Sequence, residues 1–258
     1  MTNDIPVRIV RALRYRDDSR WNHPGMIYPY NTVYFVLGGD GHIRAGDAIT
    51  DMQPGWAYLI PAHLRHDVWC DTAVEKAYVD VHAELLPGTD LFSGRQDIGS
   101  LFLGLERCQS IYNACEGGMR ERLILRGELM LVLAGFMNGE PSAVSARMRD
   151  FLPMIEDMQQ HLSARIRRNE IAAKYGWNPS ALSRAFRQVF GCGIKQYVEK
   201  LLVARLAEDL LLTDKTLQQL AAEYGFCDAY YLSAFFKRHI GLSPAIYRQR
   251  NRQDLRSR

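Results

Sequence analysis

The sequence predicts an α+β protein: a small β-rich N-terminal part followed by helices, then an all-α C-terminal domain containing two helix-turn-helix units. Three observations predict it. The stretch GWNPSALSRAFRQVFG, residues 176–191, returns as GFCDAYYLSAFFKRHIG, residues 225–241. Short alternating runs with Gly and Pro punctuation fill residues 27–85. Charge also separates: residues 1–150 carry 15 Lys+Arg against 19 Asp+Glu, a net −4, whereas residues 151–258 carry 17 against 10, a net +7. At 258 residues and 47% hydrophobic content the chain is long enough for two cores, and we expect domains at 1–142 and 143–258.

In the N-terminal half the runs TVYFVL, HIRAGDAI, MQPGWAYLIP, HDVWCD and KAYVDVHAEL read as separate short strands of a small sandwich or barrel, with the Gly-rich GGDG between the first two. Alternation in AYVDVHAEL puts Tyr78, Asp80, His82 and Glu84 on one face and Val79, Val81 and Ala83 on the other. A polar row of that kind needs either water or a ligand. Trp21, Tyr30, Trp56 and Trp69 read individually as core residues. Residues 120–137, RERLILRGELMLVLAGFM, carry a long apolar stripe and predict a helix, which can pack against its own barrel.

In the C-terminal half each copy of the repeat reads as a short helix ending at Gly176 or Gly225, a tight turn, and a second helix ending at Gly191 or Gly241. The copies are offset by 49 residues through Gly176/Gly225 and by 50 from Leu182/Leu232 onward. Asn178 and Asp228 are placed to cap the second helices, and Pro179 suits a first turn. Leu182, Ala185, Phe186 and Val189 form a core stripe, matched by Leu232, Phe235, Phe236 and His239. The opposite face holds Ser180, Ser183, Arg184 and Arg187 in the first copy and Tyr230, Ser233, Ala234 and Lys237 in the second. Hydroxyls and guanidinium can reach base edges in a major groove, while Arg and Lys pair with phosphate. Between the copies, IKQYVEKLLVARLAEDLLL predicts one continuous helix, which at 1.5 Å per residue spans about 28 Å and could help set two recognition helices near one DNA turn apart.

Several classes are disfavoured. The N-terminus has no apolar core of signal-peptide type, and the most apolar later run is interrupted by Arg126 and Glu128, so no membrane segment is expected and a cytoplasmic location fits. Five scattered cysteines without a C-x-x-C pair indicate neither a disulfide framework nor a zinc site, and Cys227 is the one whose exposure would matter.

From Gly225-Phe226 through Phe236-Lys237 and Gly241 to Ser243-Pro244 and Tyr247-Arg248, the segment GFCDAYYLSAFFKRHIGLSPAIYR resembles the AraC/XylS family of bacterial transcription regulators over residues 150–250. The resemblance implies two helix-turn-helix subdomains joined by a long helix, promoter DNA as a partner and RNA polymerase as another, often with activation as the outcome. It maps base-contacting positions onto Ser180, Ser183 and Arg184, and onto Tyr230, Ser233 and Ala234. Ala234 has no hydrogen-bonding side chain, which leaves base readout chiefly to the first helix.

MQPGWAYLIPAHLRH has the spacing of a cupin's second half, and residues 10–90 resemble the cupin-like effector domain attached to many such regulators. That resemblance implies a small-molecule effector, commonly a sugar, with pocket positions near His23, Tyr78 and Asp80 and with His66 close by; Tyr30 and His82 join them as an aromatic surface and a member of the polar row. It also implies a homodimer, with residues 120–137 as a candidate interface. A metal-dependent cupin enzyme fused to a DNA-binding module is the alternative in another class, but YPYNTVYF stands where the H-x-H should be, leaving His63, His66 and His82 without their partners, so no metal, cofactor or catalysis is expected. A ligand-free regulator controlled by a protein partner is the third reading.

Overall fold

Strands β1 (Val7–Asp18), β2 (Asn22–Met26), β3 (Asn31–Ala45), β4 (Ala48–Asp51), β5 (Trp56–Ile60), β6 (His66–Leu86), β7 (Thr89–Asp90) and β8 (Gly99–Phe102) come first in the chain. They are followed by α1 (Leu105–Ala114), α2 (Met119–Gly135), α3 (Leu152–Gln160), α4 (Arg168–Lys174), α5 (Pro179–Phe190), α6 (Ile194–Leu212), α7 (Leu217–Glu223), α8 (Ala229–Ile240) and α9 (Pro244–Arg256). The computed structural model describes residues 7–18, 21–86, 89–92, 94–137 and 150–256. The chain makes two compact units, the first from Met1–Glu84 with Asp90–Pro141 and the second chiefly from Ser142–Arg258. The boundary expected at 142/143 lies outside the described residues.

All pairings are antiparallel, in the order β1-β6-β3-β5-β8, with β2 and β7 also on β6 and β4 on β3. The large antiparallel sheet ahead of a helical C-terminal part is the α+β plan expected from the sequence, and among the described residues its pairing path does not close. Two expectations are corrected. GGDG does not separate two strands: β3 runs straight through it, with register shifts between Val36/Gly38 and Gly39/Gly41. Gly39 has φ +97 and a Cβ there would collide with the carbonyl of Ala73, so glycine serves a bulge against β6 rather than a hairpin turn. HDVWCD and KAYVDVHAEL likewise belong to one 21-residue strand, β6, because β3 pairs with it from Asp67 to Val81.

Parity along β6 sorts the two faces. Ala77, Val79, Val81 and Ala83 join Val33, Phe35, Ala57 and Leu59 in a core that Cys108 and Ile111 of α1 and Leu125, Leu129, Val132 and Leu133 of α2 complete. The α2 residues recur at i, i+4, i+7 and i+8, which is the buried stripe of a surface helix, and each fully buried aliphatic side chain contributes about 2 kcal/mol. The 120–137 stripe therefore packs on its own sheet. Its reverse side leaves Met119, Leu123, Met130 and Leu131 exposed.

In the second unit the repeat is reproduced helix by helix. α4 and α7 differ by 49 at both ends, and α5 and α8 by 50, as the sequence offsets require. Asn178 accepts hydrogen bonds from the backbone N–H of Ser180 (2.9 Å) and Ala181 (3.2 Å), and Asp228 accepts from Tyr231 (2.6 Å). Gly176, Gly191, Gly225 and Gly241 all adopt positive φ, closing the helices in the left-handed region that other residues avoid. α6 coincides with the 19-residue segment read as one helix, and it is buried on most sides because both subdomains pack on it. No helix among the described residues is long and apolar enough to cross a membrane.

Candidate nucleic-acid interface and buried polar face

Capping and glycine termination fix which side of α5 and α8 stays outside. Leu182 and Phe186, and Leu232, Phe235 and Phe236, are buried. On the opposite side Ser180, Arg184 and Arg187 of α5 are exposed, and Ser183 is half-buried. The Ser183 hydroxyl donates to the Pro179 carbonyl (2.9 Å) and accepts from Arg168 Nη1 (3.4 Å), so it is engaged within its own subdomain before any base is met. In α8, Tyr230 is 85% exposed, Ala234 and Lys237 are exposed, and Ser233 is half-buried. Arg184, Arg187 and Lys237 make no ion pair among the described residues, which leaves three cations available to an external anion. The sequence reading missed three neighbours, Arg167, Arg168 and Lys195, although the cluster RIRRN before α4 was a visible signal. Cys227, in the turn before α8, is exposed, whereas Cys70, Cys108 and Cys192 are buried.

In the first unit, register places residues side by side on the face away from α1 and α2. Arg11, Asp80, Thr32 and Ile60 form one row, and Leu13, Tyr78, Tyr34 and Tyr58 the next. Asp80 is fully buried: it pairs with the Arg11 guanidinium and accepts a hydrogen bond from Thr32 Oγ1 at 2.6 Å. Burial, the largest single influence on Arg11, would lower its pKa, but the Asp80 carboxylate together with Tyr78, Tyr30 and Tyr28 outweighs it and holds the group well above its ordinary value. The Lys76 ammonium lies 3.6 Å from the Trp21 ring centroid. Ring contacts continue from His66 to Tyr28 (5.9 Å), Tyr28 to Tyr30 (5.2 Å, stacked) and Tyr30 to His82 (6.0 Å).

Of the expected effector positions, Tyr30, His66, Tyr78, Asp80 and His82 are thus buried on one connected face, and His23 is half-buried on β2 opposite Val68. A solvent-facing strand does not describe this row, because Tyr78, Asp80 and His82 are buried and Glu84 is half-buried. His66 Nδ1 meets the Leu64 carbonyl at 3.0 Å, and its Nε2 is buried with no hydrogen-bond partner among the described residues. Burial pushes the His66 pKa down, so the ring is neutral near pH 7. His63 is exposed, and the described residues form no group of three or more His, Cys, Asp or Glu that could hold a metal ion. Arg11, Thr32 and Lys76 escaped the sequence reading: Arg11 turns inward only because a bulge between Ile9 and Arg11 shifts the register of an otherwise charge-rich strand.

Two capped helices of matched length on one buried connecting helix, in a chain that also carries a separate β unit, define a DNA-binding transcription regulator of the helix-turn-helix class. Residues 171–250 match the helix-turn-helix domain family. Over 253 residues, 96% of this chain and 78% of the relative, the chain is 25% identical to the HTH-type transcriptional activator RhaR of Pectobacterium atrosepticum. Over 102 residues, 37% of this chain and 84% of the relative, it is 29% identical to the probable transcription factor PqrA of Proteus vulgaris. The fold is shared with the crystal structure of unsaturated fatty acid bound ToxT from Vibrio cholerae, at 11% identity and a TM-score of 0.56 over 95% of this chain and 94% of that one. These matches agree with the resemblance to AraC-family regulators seen in the sequence.

Proposed function

We propose that this regulator activates transcription from promoter DNA when its β unit takes up a small metabolite, with α5 reading bases and α8 chiefly anchoring the backbone. The observation that carries the reading is the pair of exposed faces, Ser180, Arg184 and Arg187 on α5 against Tyr230, Ala234 and Lys237 on α8. Arg184 can fork onto a guanine edge, whereas Ala234 at the matching place can donate nothing. RNA polymerase is the partner that activation requires, and a cytoplasmic location is where both it and the DNA are met. No step of this function calls for catalysis or a cofactor. Capturing genomic DNA with the purified chain, with and without candidate effectors, tests the reading; absence of sequence-selective capture in both conditions would sink it.

For the effector, the face formed by Tyr30, His66, Tyr78, Asp80 and His82, with His23 at its edge, supports a polar metabolite such as a carbohydrate, since rings pack on C–H faces while imidazole and carboxylate take hydroxyls. A second reading, a carboxylate ligand, is favoured by Arg11 and Lys76 on the same face; the ToxT structure carries an unsaturated fatty acid. Whichever binds must favour one state of the protein over another, or it shifts nothing. Thermal-shift titrations with a sugar series and a carboxylate series separate the two, because a true effector raises the melting temperature with concentration. Self-association is the third part of the proposal: Met119, Leu123, Met130 and Leu131 leave the outer side of α2 apolar, and a second copy of α2 would cover it.

A further inference from the structure

Beside α5, the turn before α4 and the first turns of α4 and α6 border a groove of about 600 Å³. Four cations line it: Arg167 and Arg168 at the start of α4, Arg187 on α5 and Lys195 on α6. Glu170 is the one carboxylate among its lining residues. All four cations are exposed, and none makes an ion pair among the described residues. Ser183 also borders the groove, so it lies directly against the face of α5 assigned to base contact. Like charges gathered at one groove repel each other, and an anion seated there would relieve that repulsion.

The second subdomain lacks this arrangement. Applying the repeat offsets, Arg167 and Arg168 correspond to Thr216 and Leu217, Arg187 to Lys237, and Lys195 to Ala245. At these four positions only Lys237 keeps a charge, and Lys215 and Arg248, which stand where Ile166 and Val198 line the first groove, are engaged by Glu223 and by the backbone carbonyls of Leu210 and Lys215, although the helices begin and end in register. The difference lies in side chains, not in backbone.

We propose that this groove seats a phosphodiester of the DNA backbone, so that the first subdomain supplies most of the counterion release on binding and the second little. The proposal rests on the DNA-binding reading and specifies where the backbone is held. Each phosphate neutralised adds about 0.9 to the magnitude of the slope of log K against log salt for duplex DNA.

The test is a salt titration of the full chain binding a labelled mixed-sequence duplex, read by fluorescence anisotropy. Arg167→Gln combined with Lys195→Gln should reduce the slope by roughly 0.9. Lys200→Gln, an exposed cation on α6 outside the groove, should leave it unchanged. Thr216→Arg combined with Ala245→Lys should steepen it. An unchanged slope in the first variant, with steep binding retained by the parent chain, overturns the groove assignment and leaves DNA binding standing. Displacement of duplex by inorganic phosphate at matched ionic strength, lost in the first variant, would mark a free-phosphate site and also overturn it. A parent chain with no affinity for duplex would overturn the DNA-binding reading itself.

Discussion

Phe236 meets Tyr247 edge-to-face with ring centroids 5.2 Å apart, and fifty residues earlier Phe186 meets Tyr197 at the same 5.2 Å. Each pair ties a recognition helix to the helix that follows it, and all four rings are buried. The duplication therefore preserves an internal joint as well as an external face. Phe236→Ala should cost about 3–5 kcal/mol by transfer and cavity terms together, read as a lower urea midpoint of the second unit. A loss of less than about 1 kcal/mol would show that the pair does not hold α8 in place.

Base readout should be unequal between the two helices. Arg184→Ala is expected to weaken binding to a captured site by roughly 10- to 100-fold, the worth of one good bidentate contact, and Tyr230→Ala by less. Mobility-shift titrations decide it, and equal or reversed losses would contradict the ranking.

Arg11 and Asp80 make the buried ion pair at the centre of the polar face. Removing one partner strands a charge, so Arg11→Met alone should destabilise the first unit by about 3–5 kcal/mol, whereas Arg11→Met with Asp80→Leu should recover much of that loss. Denaturant unfolding of the parent, the two single variants and the double variant completes the cycle. A double variant no better than the single would mean that Thr32 and the surrounding rings, not the pairing, set the stability.

Asp90 links pH to stability. It accepts hydrogen bonds from Asn31 Nδ2 (2.6 Å) and the Phe92 N–H (2.8 Å), but burial dominates and raises its pKa to about 6. Unfolded, it titrates near 4. The folded state thus holds the proton more tightly, and the stability this brings is present below about pH 4 and is lost as pH rises through about 6. The effect is about 2 kcal/mol after allowing for its partial exposure. Asp90→Asn should flatten the pH dependence of the melting temperature across that window; an identical slope in the variant would exclude Asp90 as its source.

If copies pair through α2, Leu123→Glu with Leu131→Glu should convert dimer to monomer in sedimentation without lowering the melting temperature, since both side chains are exposed in the single chain. A monomeric parent chain would remove this part of the proposal.

The helical half was legible because its determinants are local. Asn178, Asp228 and four glycines act within a turn of where they stand, and the stripe through Leu182 and Phe186 needs only helical spacing to be seen. The face that remains, from Ser180 to Arg187 and from Tyr230 to Lys237, follows by elimination. The β half was read less well. GGDG resembles a turn because glycine is permissive, and only the pairing of β3 with β6 shows that its freedom is used for a bulge.

By itself the sequence determined the duplicated helix-turn-helix plan, the long helix between the copies, and the alternation that sets Tyr78, Asp80 and His82 apart from Val79 and Val81. Tertiary structure decided that this polar row is enclosed, that Arg11 and Lys76 join it, and that Arg167, Arg168, Arg187 and Lys195 border a single groove. The physical reason is range. Caps, helical stripes and strand alternation are set by neighbours within a few residues, whereas burial of a charge and the gathering of like charges depend on which distant strands and helices meet.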